Sequence, residues 1–113
     1  MPLPEKCQLL RVYLGERYSN GTLPLYEAIV LYARREKAAG ATCYRGIVSY
    51  GHTNLLEGTD THGNRLSDDF PVIVDIVDTP RKVQSLVPHI KELMGNVGLV
   101  TISDVSVVHQ GKR

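Results

Sequence analysis

Glycines and basic side chains that can bind an anion lie where apolar runs of the sequence end. Gly15 and Gly51 follow two such runs, Gly98 precedes a third, and Arg45 lies inside the second. Glycine lets a backbone approach a ligand closely and expose amide donors, and a guanidinium can bind a phosphate or carboxylate through paired hydrogen bonds. This pattern favours a small anionic ligand. Two alternatives stay open: the glycines form turns only, and Arg45 pairs with Asp75 or Asp104 across strands.

The four histidines give a weaker indication of a metal site. His52 and His62 are ten positions apart in a polar segment, and His89 and His109 are distant from both in sequence. No two have the close spacing of a zinc or copper motif. The spacing implies no metal, although a site that uses His52 or His62 stays open as an alternative.

No pattern in the sequence indicates catalysis. It contains no Ser-His-Asp cue, no Walker glycine-lysine loop and no Gly-x-Gly-x-x-Gly after a strand. Asp68 and Asp69 precede a strand, where solvated turn residues are expected. We therefore expect a binding protein and not an enzyme.

Composition narrows the class of partner and the location. The 113 residues carry 13 basic and 12 acidic side chains, a net charge of +1, whereas nucleic-acid-binding domains usually show a basic excess. No run is long and apolar enough to span a bilayer, and Met1–Lys6 lacks the features of a secretory signal. We expect a cytoplasmic protein without nucleic-acid partners, folded as one domain over residues 1–113. Cys7 and Cys43 lie in apolar runs and are predicted to be buried thiols, with a disulfide or redox pair as the lesser alternative.

Six predicted secondary-structure elements, four strands and two helices, must position these residues. Apolar alternation and β-branched residues predict strands, whereas a capping residue followed by proline, a periodic apolar stripe and a later glycine predict helices. The first helix is expected to begin near Leu23 with Thr22 as its N-cap and to end at Gly40, and the second to extend from Thr79 to Gly95, with a kink or frayed turn at Pro88. The predicted strands are Cys7–Leu14, Thr42–Ser49, Val72–Val77 and Leu99–Val108.

The order strand, helix, strand, strand, helix, strand predicts an α+β, ferredoxin-like βαββαβ sandwich. Its sheet has four antiparallel strands with both helices on one face, so self-association is expected to cover the other face. This topology gathers Gly15 and Glu16, the segment Tyr50–His52, Phe70 and Pro71, and the segment Gly95–Gly98 at one end of the sheet. A connection of about twenty polar residues, at about 50–71, starts and finishes there; such a long loop is typical of a binding loop.

Short segments in the same order along the chain resemble one family. They are Leu10–Glu16 (LRVYLGE), Pro24–Glu27 (PLYE), Gly40–Thr42 (GAT), Tyr44–Ile47 (YRGI), Tyr50–Gly51, Arg65–Ser67 (RLS), Pro71–Val74 (PVIV), Ile76–Asp78 (IVD), Gly98–Thr101 (GLVT) and Asp104–Val105. Together they resemble the PII-like proteins of the domain-of-unknown-function 190 family. That family is related in fold to the PII nitrogen-regulatory proteins and to CutA.

The resemblance implies a homotrimer that binds an adenine nucleotide (ATP, ADP or AMP) between subunits and signals through its long loop to a membrane transporter or an enzyme. Two features depart from PII proteins: the segment Gly95–Gly98 lacks a lysine, and the loop lacks a tyrosine at its tip, so control by uridylylation is not expected. A CutA-like metal-binding or metal-tolerance protein and a ligand-free adaptor remain the alternatives. The family pattern places the loop root at Tyr50–His52 and the phosphate-covering connection at Gly95–Gly98. Together with the sheet end and the basic side chains considered above, it gives these predicted nucleotide-binding residues: Gly15, Glu16, Arg45, Tyr50, Gly51, His52, Arg65 and Gly98.

Overall fold

A computed structural model describes residues 2–49 and 70–112 of the chain. The described elements, in chain order, are the strands β1 (Lys6–Gly15), β2 (Ser19–Asn20) and β3 (Leu23–Pro24), helix α1 (Leu25–Arg35), strands β4 (Thr42–Arg45) and β5 (Pro71–Asp78), helix α2 (Pro80–Met94) and strand β6 (Leu99–Ser106). Four strands form one sheet in the order β4-β5-β1-β6, and every neighbouring pair is antiparallel. The predicted ferredoxin-like sandwich is confirmed.

Both helices pack on one face of this sheet because alternate strand residues and one stripe of each helix are apolar. The buried cluster consists of Leu10, Val12, Leu14, Val74 and Ile76 from the sheet with Leu25, Ile29, Ala33, Val83, Leu86, Ile90 and Met94 from the helices. The intervening strand residues point to the opposite side of the sheet, here called the outer face. Its apolar members include Leu9, Tyr13, Ile73, Val77 and Leu99. Within the described ranges, neither helix has the length and apolar character needed to cross a bilayer.

Helix α2 confirms its predicted ends. The Thr79 side chain accepts a hydrogen bond from the Lys82 amide at 3.1 Å, Pro80 occupies the first turn, and Gly95 caps the other end at a φ of 61°. These are standard capping interactions. The helix extends through Pro88 without interruption.

Helix α1 differs from the prediction at both ends. Thr22 is not its cap, because Leu23 pairs with Asn20 in a small ladder closed by a turn at Gly21, and the helix begins only at Leu25. Gly40 does not end it either. Lys37 takes the left-handed conformation at a φ of 62°, and the Ala38 amide donates to the Ala33 carbonyl at 3.0 Å, which closes the helix three residues earlier.

Two strands are shorter than predicted, and one cysteine was misplaced. Strand β6 ends at Ser106, and β4 ends at Arg45 because the next partner position is Pro71, which has no amide hydrogen to donate.

Cys7 is buried, and burial raises the pKa of its thiol. The prediction that Cys43 is buried was wrong, since it lies exposed on the edge strand β4; both cysteines are unpaired.

Candidate functional site

The end of the sheet at which β1 and β4 finish and β5 and β6 begin is here called the loop end. Backbone hydrogen bonds hold it together: the Glu16 amide donates to the Phe70 carbonyl at 2.9 Å, and the Gly46 amide donates to the Pro71 carbonyl at 2.7 Å. Gly15 is buried opposite Pro71. The strand ends that the sequence predicted to be neighbours are therefore neighbours, and the long β4–β5 connection begins and ends there.

Arg45 is a cation at the loop end, at the last position of β4. Its guanidinium forms an ion pair with Glu16, at the end of β1, and lies over the ring of Phe70 at 5.2 Å from the centroid. The predicted pairing of Arg45 with a carboxylate across strands is confirmed, but the partner is Glu16 and not Asp75 or Asp104. Arg45 is the last residue of β4, so it lies beside the end of β1, whereas Asp75 is deeper in the sheet and Asp104 is on the far strand β6. More than half of the Arg45 side chain stays accessible to solvent.

Gly98 reaches the same end of the sheet for a packing reason. Its φ of 77° favours glycine, and a β-carbon there would lie 2.6 Å from the Tyr13 carbonyl oxygen and 2.3 Å from the terminal carbon of Met94. The connection from α2 to β6 can therefore pass closely over β1 only with glycine at this position. This close approach sets Gly98 beside the end of β1.

Four residues predicted for the site, Tyr50, Gly51, His52 and Arg65, lie outside the described residues. Of the eight, the structure therefore describes Gly15, Glu16, Arg45 and Gly98, and all four are at the loop end.

Sequence reasoning missed the apolar part of this surface. Ile47, Val48 and Phe70 are large apolar side chains that stay exposed at the loop end, Ile47 by 90%. Gly46 was missed as well: a β-carbon there would meet the Pro71 ring at 2.7 Å, so glycine allows the chain to pass this close to Pro71. An apolar surface beside an accessible guanidinium suits a ligand that has a flat apolar part and a negative charge.

A second polar cluster lies on the outer face, away from the loop end. Asp75 accepts hydrogen bonds from Arg11 at 2.8 and 3.0 Å and from the Tyr44 hydroxyl at 2.9 Å. These contacts with Arg11, and then that with Tyr44, lower the pKa of the Asp75 carboxyl against the opposing effect of burial. An ionised carboxylate with these donors is poorly suited to act as a general base, so we treat the cluster as structural.

Metal ligands are not gathered in the described part of the chain. No three His, Cys, Asp or Glu side chains within residues 2–49 and 70–112 could together hold an ion. His89 instead packs against the ring of Tyr32, with centroids 4.3 Å apart, and its Nδ1 lies 3.3 Å from Glu92. His52 and His62, on which the metal alternative depends, lie in the segment that is not described.

A cavity lies at the opposite end of the sheet. Both chain termini line it, together with the connection between α1 and β4, and it includes the basic residues Arg34, Lys37, Lys82 and Lys112. Asp78, the one acidic residue among its described lining residues, already accepts hydrogen bonds from the amides of Ala39 and Thr79. This cavity is the competing location for an anionic ligand.

Comparison with solved structures supports the fold independently. The chain is similar to CPII from Thiomonas intermedia K12, a nitrogen regulatory PII-like protein. A structure of CPII bound to ADP and bicarbonate has a TM-score of 0.62 at 17% identity, over 92% of this chain and 90% of that one. A structure of CPII bound to ADP, AMP and acetate has a TM-score of 0.63 at 15% identity, and the match covers 93% of this chain and 91% of CPII. The apo form of CPII has a TM-score of 0.62 at 16% identity, and the match covers 90% of this chain and 91% of CPII. At these identities the likeness shows the fold alone.

Comparison of sequences shows the family. UPF0166 protein MJ1524 of Methanocaldococcus jannaschii is 36% identical over 104 residues, which cover 90% of this chain and 92% of that protein. A UPF0166 protein of Aquifex aeolicus is 31% identical over 104 residues, which cover 92% of this chain and 95% of that protein. The family model DUF190, described as "Uncharacterized ACR, COG1993", matches residues 7–107. Because this match takes in all four strands of the sheet and both helices, the chain belongs to the DUF190 family, with a PII-like fold.

Proposed function

We propose that this protein is a regulatory, non-catalytic sensor that binds an adenine nucleotide at the loop end. The observation that carries the proposal is the accessible guanidinium of Arg45 over the ring of Phe70, at the end of the sheet where the next residues of the chain include the exposed Ile47 and Val48. A nucleotide has the matching chemistry, with a flat base for the apolar surface and phosphates for the guanidinium.

The solved structures of similar fold support the choice of ligand. CPII, the PII-like protein of Thiomonas intermedia, has been solved with ADP and with ADP and AMP together. The same loop end anchors both ends of the long β4–β5 connection. A ligand that binds more tightly to one state of this connection shifts its population toward that state. In this way binding would be signalled to a transporter or an enzyme.

We further propose that the subunit assembles as a homotrimer through its outer face. In the isolated chain, the apolar residues of that face are only partly covered, and Leu99 is 50% exposed. Apolar side chains that stay partly exposed on one face of a sheet commonly mark an interface, and here they lie on both sides of the Arg11–Asp75 ion pair. The number of three subunits rests on the resemblance to PII proteins.

We also propose a cytoplasmic location for the protein, because Cys7 and Cys43 are unpaired thiols and a reducing compartment preserves thiols.

The metal-binding alternative gains no specific support from the described residues. Replacing both His52 and His62 and measuring copper and zinc binding would decide it: retained binding removes this reading.

Calorimetric titration of the purified protein with ATP, ADP, AMP and cyclic AMP, with and without magnesium, tests the proposed ligand. We expect one nucleotide to bind with micromolar affinity at one site per subunit. Arg45→Gln should weaken that binding roughly tenfold or more, as expected for loss of a charge-assisted hydrogen bond.

Arg81→Gln is the matched control, since it removes the same charge from an exposed position in the first turn of α2. It should bind like the wild type. A folded oligomer that binds none of the four nucleotides would contradict the proposal, and an equal loss in both variants would contradict the location of the site.

A further inference from the structure

The carboxylate of Glu16 is already paired with the guanidinium that an anionic ligand would bind. That guanidinium belongs to Arg45, and the side chains of Glu16 and Arg45 are 29% and 59% exposed. Among the described residues, Glu16 is the carboxylate paired with Arg45. A ligand that approaches Arg45 therefore meets a cation whose charge is balanced.

The backbone fixes Glu16 in this position. Its amide donates to the Phe70 carbonyl at 2.9 Å, and the preceding residue, Gly15, is in the β1–β5 ladder opposite Pro71. Arg45 is equally constrained, because it is paired with Val72 in the β4–β5 ladder. The two Cα positions are therefore held, so the ion pair separates by side-chain rotation of Glu16 or Arg45 and not by movement of the strands.

From this arrangement, and resting on the proposed function, we infer that Glu16 is a built-in competitor that weakens anion binding and sets the preference of the site for ligand charge. A phosphate that binds Arg45 must displace the carboxylate or share the guanidinium with it. The repulsion between Glu16 and the ligand grows with the negative charge of the ligand. Glu16 therefore penalises a triphosphate more than a monophosphate, and does not penalise a neutral nucleoside.

Glu16→Gln tests this inference, because glutamine keeps the shape of the side chain and removes its charge. Titrations at low ionic strength should show that the variant binds ATP about two- to fivefold more tightly than the wild type, a range set by the usual strength of exposed ion pairs. The gain should be smaller for AMP and absent for adenosine. It should also shrink as salt is added, because salt screens exposed charges.

Glu36→Gln is the matched control. Glu36 is an exposed acid at the end of α1, 4.0 Å from Arg35, and its replacement changes the net charge by the same amount. It should leave every affinity unchanged. Glu16→Ala provides a second variant and should give the same order of gains, with circular dichroism and oligomer mass confirming that each variant is folded.

The possible results separate this inference from the proposed function. Weaker binding of adenosine and nucleotides alike in Glu16→Gln would mean that Glu16 contacts the ligand directly, and would overturn the competitor role while leaving the sensor intact. An equal gain in Glu36→Gln would reduce the effect to net charge and would also overturn it. If neither the wild type nor any variant binds a nucleotide, the proposed function fails and the inference fails with it.

Discussion

Asp75 and Arg11 form the most completely bonded ion pair of the described residues, with two hydrogen bonds between them and a third from Tyr44. The pair lies on the outer face in the middle of the sheet, where β1 and β5 are neighbours. Its position gives it an effect on stability that depends on pH.

Because the pKa of Asp75 is lowered in the folded protein, its contribution to stability is fully present above the ordinary carboxyl pKa of about 3.9. That contribution is lost as the pH falls through the lowered pKa, when the carboxylate is protonated and its bonds to Arg11 weaken. Asp75→Asn should therefore be less stable than the wild type at pH 7, and this difference should shrink toward pH 2.

Urea unfolding at both pH values, at a fixed protein concentration, measures this change. Asp104→Asn is the control, since Asp104 is exposed and accepts one long hydrogen bond, from Gln8 at 3.3 Å. A difference between Asp75→Asn and the wild type that stays constant from pH 7 to pH 2 would contradict the assigned role.

Positions that depend on strand order could be predicted from the sequence, whereas positions that depend on contacts between residues distant in the chain could not. The sequence was sufficient to predict that Gly15, Glu16 and Gly98 lie at one end of the sheet, because strand order alone determines that grouping. It did not place Arg45 there, because Arg45 was expected inside a strand that continues to Ser49, whereas β4 ends at Arg45. It was not sufficient to find the partner of Arg45. That partner depends on the residue at which β4 ends, and the end is set by Pro71, twenty-six positions later in the chain.

At the scale of elements, α2 carries its start and stop signals within its own sequence. Thr79 caps the helix by accepting a hydrogen bond from the Lys82 amide. Thr79→Ala should therefore lower the free energy of unfolding by about 1 kcal/mol, the usual cost of losing such a cap.

Ser85→Ala is the comparison within the same helix. The Ser85 hydroxyl donates to the Lys82 carbonyl and satisfies no amide at the start of the helix, so its loss should change stability by less than about 0.5 kcal/mol. Chemical denaturation of the two variants in parallel tests this. Equal stability of Thr79→Ala and the wild type would show that the cap is not needed.

Helix α1 shows why the same local signals can mislead. Thr22 and Pro24 combine the same residue types as Thr79 and Pro80, one residue further apart. However, Leu23 is paired with Asn20, and the Leu25 amide donates to the Tyr18 carbonyl at 2.8 Å. Pairing with a preceding segment thus took precedence over the local preference of the sequence. At the other end, Lys37 adopts the left-handed conformation, and the Lys82 side chain donates to the Glu36 carbonyl at 2.8 Å.

At the scale of the whole molecule, strand order and the single helical layer follow from periodicity and from the right-handed rule for crossovers. The residues that cover the outer face do not follow from the sequence of one chain. Leu9 lies at the centre of the sheet on that face, on β1, beside Val77 of β5 and Ser103 of β6. If the face is an interface between copies, a charge at position 9 would be buried without a partner.

Leu9→Glu should therefore dissociate the oligomer to its subunit mass of 12.5 kDa, whereas the wild type should sediment at three times that mass. Leu31→Glu makes the same change at an exposed position of α1 and should leave the assembly intact. Analytical ultracentrifugation distinguishes the two. A wild-type monomer, or a Leu9→Glu trimer, would contradict assembly through the outer face.

Hydrogen–deuterium exchange with and without ADP tests most directly the central claim that the loop end is the ligand site. We expect ADP to protect amides in residues 13–16, 45–49, 70–73 and 95–99, and to leave the opposite end, in residues 36–42 and 106–112, unchanged. Protection confined to that opposite end would move the ligand to the cavity lined by Arg34, Lys37, Lys82 and Lys112. That result would contradict the account.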